Sequence, residues 1–307
     1  MTRYGGPEVL EVVEVPEQHA GPGEVRIRVH AAALSPTDTF TRNGDRAEWL
    51  AQFPPPYVAG MDAAGFLDEI GDGAVTELAI GDRVMAIVVP KGSNGGQSES
   101  VVVPAESVAR APAGSSHAEA STVPMNALTA RLTLDLLDLQ PGQWLAVTGA
   151  AGAYGGYVVE LAKADGLRVI GDASPADEEL VRRLGADVVL PRGDDLAVRI
   201  REVVPEGVDA VADGALLHTL VLPAIRDGGA LAAVREFEGE TERDITIHRV
   251  WVGRYRREQA KLDRIRRQIE AGEVTMRVAD TFPPEQAAEA HRLLEGGGVR
   301  GRLVIEF

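Results

Sequence analysis

"TGAAGAYGGYVVELAK", Thr148 to Lys163, sets Gly149, Gly152, Gly155 and Gly156 in a turn that runs directly into a helix-forming stretch. Ahead of it stands "WLAVTG", an apolar run of strand composition. Strand, glycine turn and helix in that order are the context of a dinucleotide fingerprint. Early glycines allow backbone angles closed to other residues, and their lack of side chains lets a pyrophosphate approach the helix N–H groups. The later glycine lets helix and strand pack closely. The spacing is Gly149-x-x-Gly152-x-x-Gly155, with Ala153 and Tyr154 before the last glycine, and not G-x-G-x-x-G. Such a turn alone also serves merely to reverse direction, so its neighbours must decide.

Those neighbours alternate. After "WLAVTG" come "RVIGD", "DVVL", "VDAVAD", "ALAAV" and "ITIHRVWV", with helical stretches beginning near Gly155, Pro175, Asp194, Leu216 and Tyr255. Six strands alternating with helices predict a doubly wound parallel sheet covered on both faces, with the glycine turn at its first crossing. Before residue 113 the text is different: "EVRIRVHAAAL", "AAGFLDEIG", "DRVMAIVVP" and "SESVVVPAESVARAP" are short Val/Ile-rich runs between Gly, Pro and Asp, which predict an antiparallel barrel or sandwich. The final "GGVRGRLVIEF" returns to a strand. The expected division is residues 1–114 and 258–307 in one domain and 115–257 in the other.

Composition narrows the function classes. The 307 residues carry a formal charge of −16, which repels nucleic acid and anionic membranes. The one basic run, "RYRREQAKLDRIRRQ", has Leu262, Ile265 and Ile269 at helical spacing and reads as a solvated helix face. No apolar run reaches membrane-spanning length and no signal-like N-terminus is present, so a soluble cytoplasmic chain is expected, with neither nucleic-acid nor membrane partners. There is no cysteine, which removes disulfides, thiolate nucleophiles and thiolate-ligated zinc.

The end of the second strand bears on the cofactor. Asp172 there suits a ribose 2′-hydroxyl, Ser174-Pro175-Ala176-Asp177 reads as a helix cap, and Asp177, Glu178 and Glu179 would repel a 2′-phosphate. Arg192, after the third strand, is the nearest counter-charge. Local chemistry thus leans toward NAD, and Ser174 reads as a cap or as a ribose contact.

Almost end to end, the chain resembles the zinc-independent quinone oxidoreductases of the medium-chain dehydrogenase/reductase superfamily. "TRYGGPEVLEVVEVPE", "AAALSPTDTFTRNG", "PPPYVAGMDAAGFLDEIGDGAVTELAIGDRVMA", "NALTARLTL", "PGQWLAVTGAAGAYGGYVVELAKADGLRVI" and "AHRLLEGGGVRGRLVI" are similar to that family's motifs, in order. The resemblance implies a chaperonin-10-like catalytic barrel split around a Rossmann domain, a cofactor cleft between them, usually NADPH with NADH not excluded, and often a homodimer. It implies quinones or α,β-unsaturated carbonyl compounds as substrates. Where the zinc-dependent branch has His-Glu after glycine, this chain has Gly60-Met61-Asp62, so zinc is not expected.

Thr129 matches the threonine near the nicotinamide, and Gly149, Gly152, Gly155 and Gly156 match the pyrophosphate turn. Asp38 and Arg42 match the loop lining the active-site cleft, and Asn126 precedes Thr129 on one segment. Structural readings stand beside these: Thr129 and Asn126 as helix caps, Asp38 paired with Arg42 to hold its own loop. Departures from the family are Ser35 for asparagine, Phe40 for tyrosine, Glu178 and Pro191 at positions near the 2′-phosphate, and Arg235 where relatives have glycine beside the nicotinamide. Relatives also carry a short strand ahead of "TRYGGPEVL". The expected activity is NAD(P)H-dependent reduction of a quinone or enone. The alternatives are an enoyl-thioester reductase and a degenerate dinucleotide-binding protein with a regulatory or structural role.

Overall fold

A computed structural model describes all 307 residues. In chain order, β1 (Glu24–Ala33) leads to α1 (Pro36–Asn43) and α2 (Ala47–Leu50), then β2 (Asp62–Ile70), β3 (Arg83–Ile87), β4 (Ser100–Pro104), β5 (Val108–Arg110) and α3 (His117–Ser121). After α4 (Pro124–Leu137) come β6 (Trp144–Thr148), α5 (Ala153–Ala164), β7 (Arg168–Ala173), α6 (Glu178–Arg183), β8 (Val188–Pro191), α7 (Leu196–Val203), β9 (Val208–Asp213), β10 (Ile225–Ala233) and β11 (Thr246–Arg249). The chain closes with α8 (Gln259–Glu270), β12 (Val278–Phe282), α9 (Ala287–Gly296) and β13 (Arg302–Glu306).

Two compact units result. One holds residues 1–125, 253–271 and 276–307, the other 126–252 and 272–275. In the first, seven strands run in the order β12-β13-β1-β2-β3-β5, with β4 also on β1, and every pairing but β12–β13 is antiparallel. β1 shows why: Val25, Ile27 and Val29 alternate with Arg26 and Arg28, so one face enters a core with Leu67, Val84, Val101 and Val103. The C-terminal strand β13 pairs with β1, Ala31 opposite Glu306.

The second unit is a fully parallel sheet in the order β11-β10-β9-β6-β7-β8. Its strands are those the alternating apolar runs predict. One face buries Ile170, Val211 and Leu231 against Leu196, Ile200, Leu222 and Ile225. Burying a side chain such as Ile200 is worth roughly 1.5–3 kcal/mol. Since β6 is flanked by β7 on one side and β9 on the other, the winding reverses between β6 and β9.

Three local expectations change. The first unit extends past 114 to Met125, because α3 packs its Ala118 against Ala31, Ala33 and Val304. The second unit recruits Gly272–Thr275, where Thr275 donates its N–H and hydroxyl to the buried Glu160 (3.1 and 2.6 Å). The helix expected near Leu216 is a 3-10 segment, His218–Ala224, interrupted by Pro223. The basic run forms α8 with Leu262, Ile265 and Gln268 inward, while Arg266 and Arg267 pair with Asp263 and Glu270. These two charges are spent along their own helix.

Candidate dinucleotide site and its surroundings

The glycine turn lies at the carboxyl end of β6, where the winding reverses. Gly149 takes a left-handed backbone (φ 68°), and a Cβ on Gly155 would collide with the Gly149 carbonyl. A side chain at 155 would therefore force α5 off β6. Gly152 is the N-cap of α5 and no side chain caps that helix, so its N-terminus presents first-turn N–H groups at Ala153 and Tyr154 and the positive end of a three-turn dipole. This cradle fits an anionic pyrophosphate.

Asp172 lies at the end of β7. Its Oδ1 accepts the Ala150 N–H (3.1 Å), and the side chain is 5% exposed. Its carboxyl is raised above the usual range, by burial first, against the lowering effect of that N–H and of Arg192. Through Oδ1 it braces the glycine turn, while its Oδ2 lies 3.6 Å from the partly exposed Arg192. Ser174 is not a helix cap. It donates to Asp177 Oδ2 (2.6 Å), and α6 begins only at Glu178, with Asp177 as the N-cap. Arg192 lies 3.6 Å from Asp172 and 3.9 Å from Asp177, with its side chain 42% exposed. It is a cation near two carboxylates and still open to solvent.

Thr129 and Asn126 sit within α4, both largely buried. Thr133 donates its hydroxyl to the Thr129 carbonyl (2.9 Å) and lies 2.8 Å from the Tyr154 hydroxyl. With the Thr133 proton committed to Thr129, the Tyr154 phenol is the donor, and burial holds that phenol protonated far above its usual range. The Tyr154 ring also lies beside Gly214, where a Cβ would come within 2.9 Å of Cδ1. Tyr154 thereby ties the glycine turn to the Thr129 segment and to the loop after β9. Arg235 is half-buried just after β10.

Two residues that the sequence reading missed, Thr148 and Asp213, close the gap between β6 and β9. The Thr148 hydroxyl donates to Asp213 Oδ1 (2.6 Å) and accepts the Ala215 N–H (3.0 Å). A polar residue ending each of two adjacent apolar runs was the available signal.

Asp38 and Arg42 belong to the first unit. Asp38 is the third residue of α1 and forms a capping box with Ser35: Ser35 N–H (2.8 Å) and Gln97 Nε2 (3.3 Å) donate to Oδ2, and Gly60 N–H (3.1 Å) to Oδ1. Burial pushes its carboxyl up to about 6, against those N–H donors and Arg302. Asp38 does not pair with Arg42. The buried Arg42 guanidinium donates to Gly5 O (3.1 Å), His291 Nδ1 (3.2 Å) and Glu295 (2.5 Å), fastening α1 to α9 and the N-terminal segment. Four of its five N–H donors are thus engaged within the first unit, and the side chain is 3% exposed.

Two family models match, "Alcohol dehydrogenase GroES-like domain" over residues 21–113 and "Zinc-binding dehydrogenase" over 184–305. A solved NAD-dependent alcohol dehydrogenase is 30% identical, with a TM-score of 0.88, covering 100% of this chain and 98% of its own. The chain belongs to the medium-chain dehydrogenase/reductase superfamily. Within that superfamily it is similar to a 2-haloacrylate reductase of Burkholderia sp (29% identical, 99% of this chain and 96% of the relative). It is also similar to a quinone oxidoreductase of Pseudomonas aeruginosa (28% identical, 98% and 97%). It is an oxidoreductase of this superfamily. The zinc in one model's description has no matching donor set here: no three His, Cys, Asp or Glu side chains converge. Asp62 is committed to Arg302 (2.7 Å) and the Met125 N–H (2.6 Å), and Ser35 to its helix cap.

Proposed function

We propose that the protein reduces a quinone or an α,β-unsaturated carbonyl compound with NAD(P)H, without zinc. The observation that carries the reading is the uncapped N-terminus of α5 behind a glycine turn, placed where the sheet reverses its winding. A nicotinamide cofactor supplies a hydride when bound. This chain's residues bind and orient it: N–H groups of the turn at the pyrophosphate, Ser174 and Arg192 toward the adenosine ribose, Thr129, Asn126 and Arg235 toward the other end. Asp172 serves by holding the turn. With no metal donor set to polarise a ketone, the acceptors that suit the site are those that take hydride at an electron-poor carbon or a quinone. The names of the 2-haloacrylate reductase and the quinone oxidoreductase support the same acceptor classes. Asp38 is 1% exposed and both its oxygens already accept hydrogen bonds, so we assign the proton that follows hydride to water.

The 2′-phosphate of NADPH is the assignment, on Arg192, with NADH as the competitor favoured by Asp172, Asp177 and Glu178. Titrating the purified protein with NADPH and NADH at equal ionic strength decides between them. Cofactor oxidation is then followed with a panel of quinones and enones. Micromolar binding and turnover with a member of the panel are expected. Tight binding with no turnover on any member would leave a degenerate binding protein. We also assign a homodimer and a cytoplasmic setting. β11 is a sheet edge paired only to β10, with Trp251 exposed beside it, and no helix is long and apolar enough to cross a membrane. A monomer mass by sedimentation equilibrium at micromolar concentration would remove the dimer.

A further inference from the structure

The loop after β9 holds an unusual backbone geometry. Leu216 (φ 60°) and His218 (φ 51°) both occupy the left-handed region, where Cβ crowds the following carbonyl oxygen. The loop is pinned from below. Asp213 accepts the N–H groups of Leu217 (3.0 Å) and His218 (2.9 Å), and Thr148, itself bound to Asp213, accepts that of Ala215. Leu217, Val221 and Leu222 turn into the core, but Leu216 is 37% exposed and joins no core cluster. Folding gains nothing evident from a bulky apolar side chain at a strained, solvent-facing position. Strain of this kind is kept where a ligand uses the geometry.

The position of the loop says which part of a ligand that is. Gly149 and Gly214 are neighbours, such that a Cβ on Gly149 would come within 3.3 Å of the Gly214 carbonyl carbon. The loop therefore borders the glycine turn on the β9 side, opposite Asp172, Ser174 and Arg192 on the β7 and β8 side. A dinucleotide with its pyrophosphate on the turn lays one nucleoside over each half of the sheet. The ribose-reading groups claim the adenosine for β7 and β8, which leaves the β9 side to the nicotinamide nucleoside. We propose that Leu216 is a specificity-determining contact for the nicotinamide nucleoside, an apolar lip held in the left-handed conformation by Asp213 and Thr148. This rests on the dinucleotide reading above.

The test titrates wild type, Leu216→Gly and Leu216→Ala with NADPH and with 2′-phospho-ADP, which lacks the whole nicotinamide nucleoside. NADH and ADP are run in parallel. Glycine adopts the left-handed region without a clash, so the glycine variant should melt no lower than wild type. Its Kd for the whole dinucleotide should nevertheless rise about tenfold, with the fragment's Kd held within about twofold. Leu216→Ala keeps the strain, loses the contact, and should show the same selective weakening. Equal weakening of dinucleotide and fragment, or none for either, overturns the assignment of Leu216 while the dinucleotide site stands. Failure of wild type to bind any of the four probes overturns the dinucleotide reading itself.

Discussion

Asp38 and Arg42 stand four residues apart on one short helix and serve different neighbours. The first holds the Ser35, Gly60 and Gln97 backbone and side-chain donors, the second the α9 helix. Replacing Arg42 by Met should cost about 2 kcal/mol, from the lost charged hydrogen bonds. It should change kcat/KM by less than about threefold, since a structural pin is not used in the transition state. Thermal melting and steady-state kinetics check this, and a collapse of kcat at unchanged melting temperature would restore a catalytic role. At Gly155 the expectation is the reverse. Gly155→Ala drives a methyl into the Gly149 carbonyl, should cost ~1–3 kcal/mol by overpacking, and should weaken dinucleotide binding by more than the stability loss implies. Melting and titration of the same preparation check both parts. These two residues also show the reach of the sequence. The need for glycine at 155 was legible because its partner, Gly149, lies six residues away in the same turn. The partners of Arg42 are His291 and Glu295, some 250 residues distant, and no local pattern announces them. The left-handed Leu216 was illegible for another reason: leucine carries none of the turn signals of Gly or Asn.

At the scale of elements, α9 carries a titration. His291 is fully buried, its Nδ1 accepts from Arg42, and its Nε2 has no partner. Burial first, then the Arg42 charge, pushes its pKa down to about 4 against the opposing pull of Glu295. Between the ordinary histidine value of about 6.5 and that lowered one, the unfolded chain binds a proton that the native chain does not. Stability from this group is therefore present above about pH 6.5 and is lost as pH falls toward 4. His291→Gln should flatten the fall in melting temperature across that window while lowering it little at pH 8. A parallel slope in variant and wild type would show that other groups set the acid limb. The six parallel strands were all legible, the inner ones as short apolar runs between punctuating residues and the polar edge strand β11, TIHR, from the longer stretch around it. The 3-10 segment at His218–Ala224 was not, since its apolar residues have helical spacing and only Pro223 spoils the α-helix.

At the scale of the molecule, one buried pair gathers four parts of the first unit. Arg302 on β13 donates to Leu34 O (2.8 Å), Thr122 O (3.2 Å) and Asp62 (2.7 Å), and Asp62 on β2 also receives the Met125 N–H. Neither side chain is more than 3% exposed. Arg302→Met would leave a buried carboxylate without its counter-charge, at a cost of about 3–5 kcal/mol. Urea unfolding should show the loss as a lower midpoint, and a midpoint within error of wild type would mean that Asp62 is held protonated without penalty.

The return of β13 to β1 also sets a timetable for synthesis. Ala31–Ala33 meet their partners Val304–Glu306 only when nearly the whole chain has been translated. At ~5–20 residues per second, that edge of β1 waits on the order of tens of seconds on the ribosome. The parallel sheet needs nothing beyond Thr275, so it is assembled while the antiparallel one is still open. That open edge, Ala31–Ala33, is the segment that a nascent-chain chaperone would have to shield. The interruption of one unit by the other thus makes the first-translated unit the last to close.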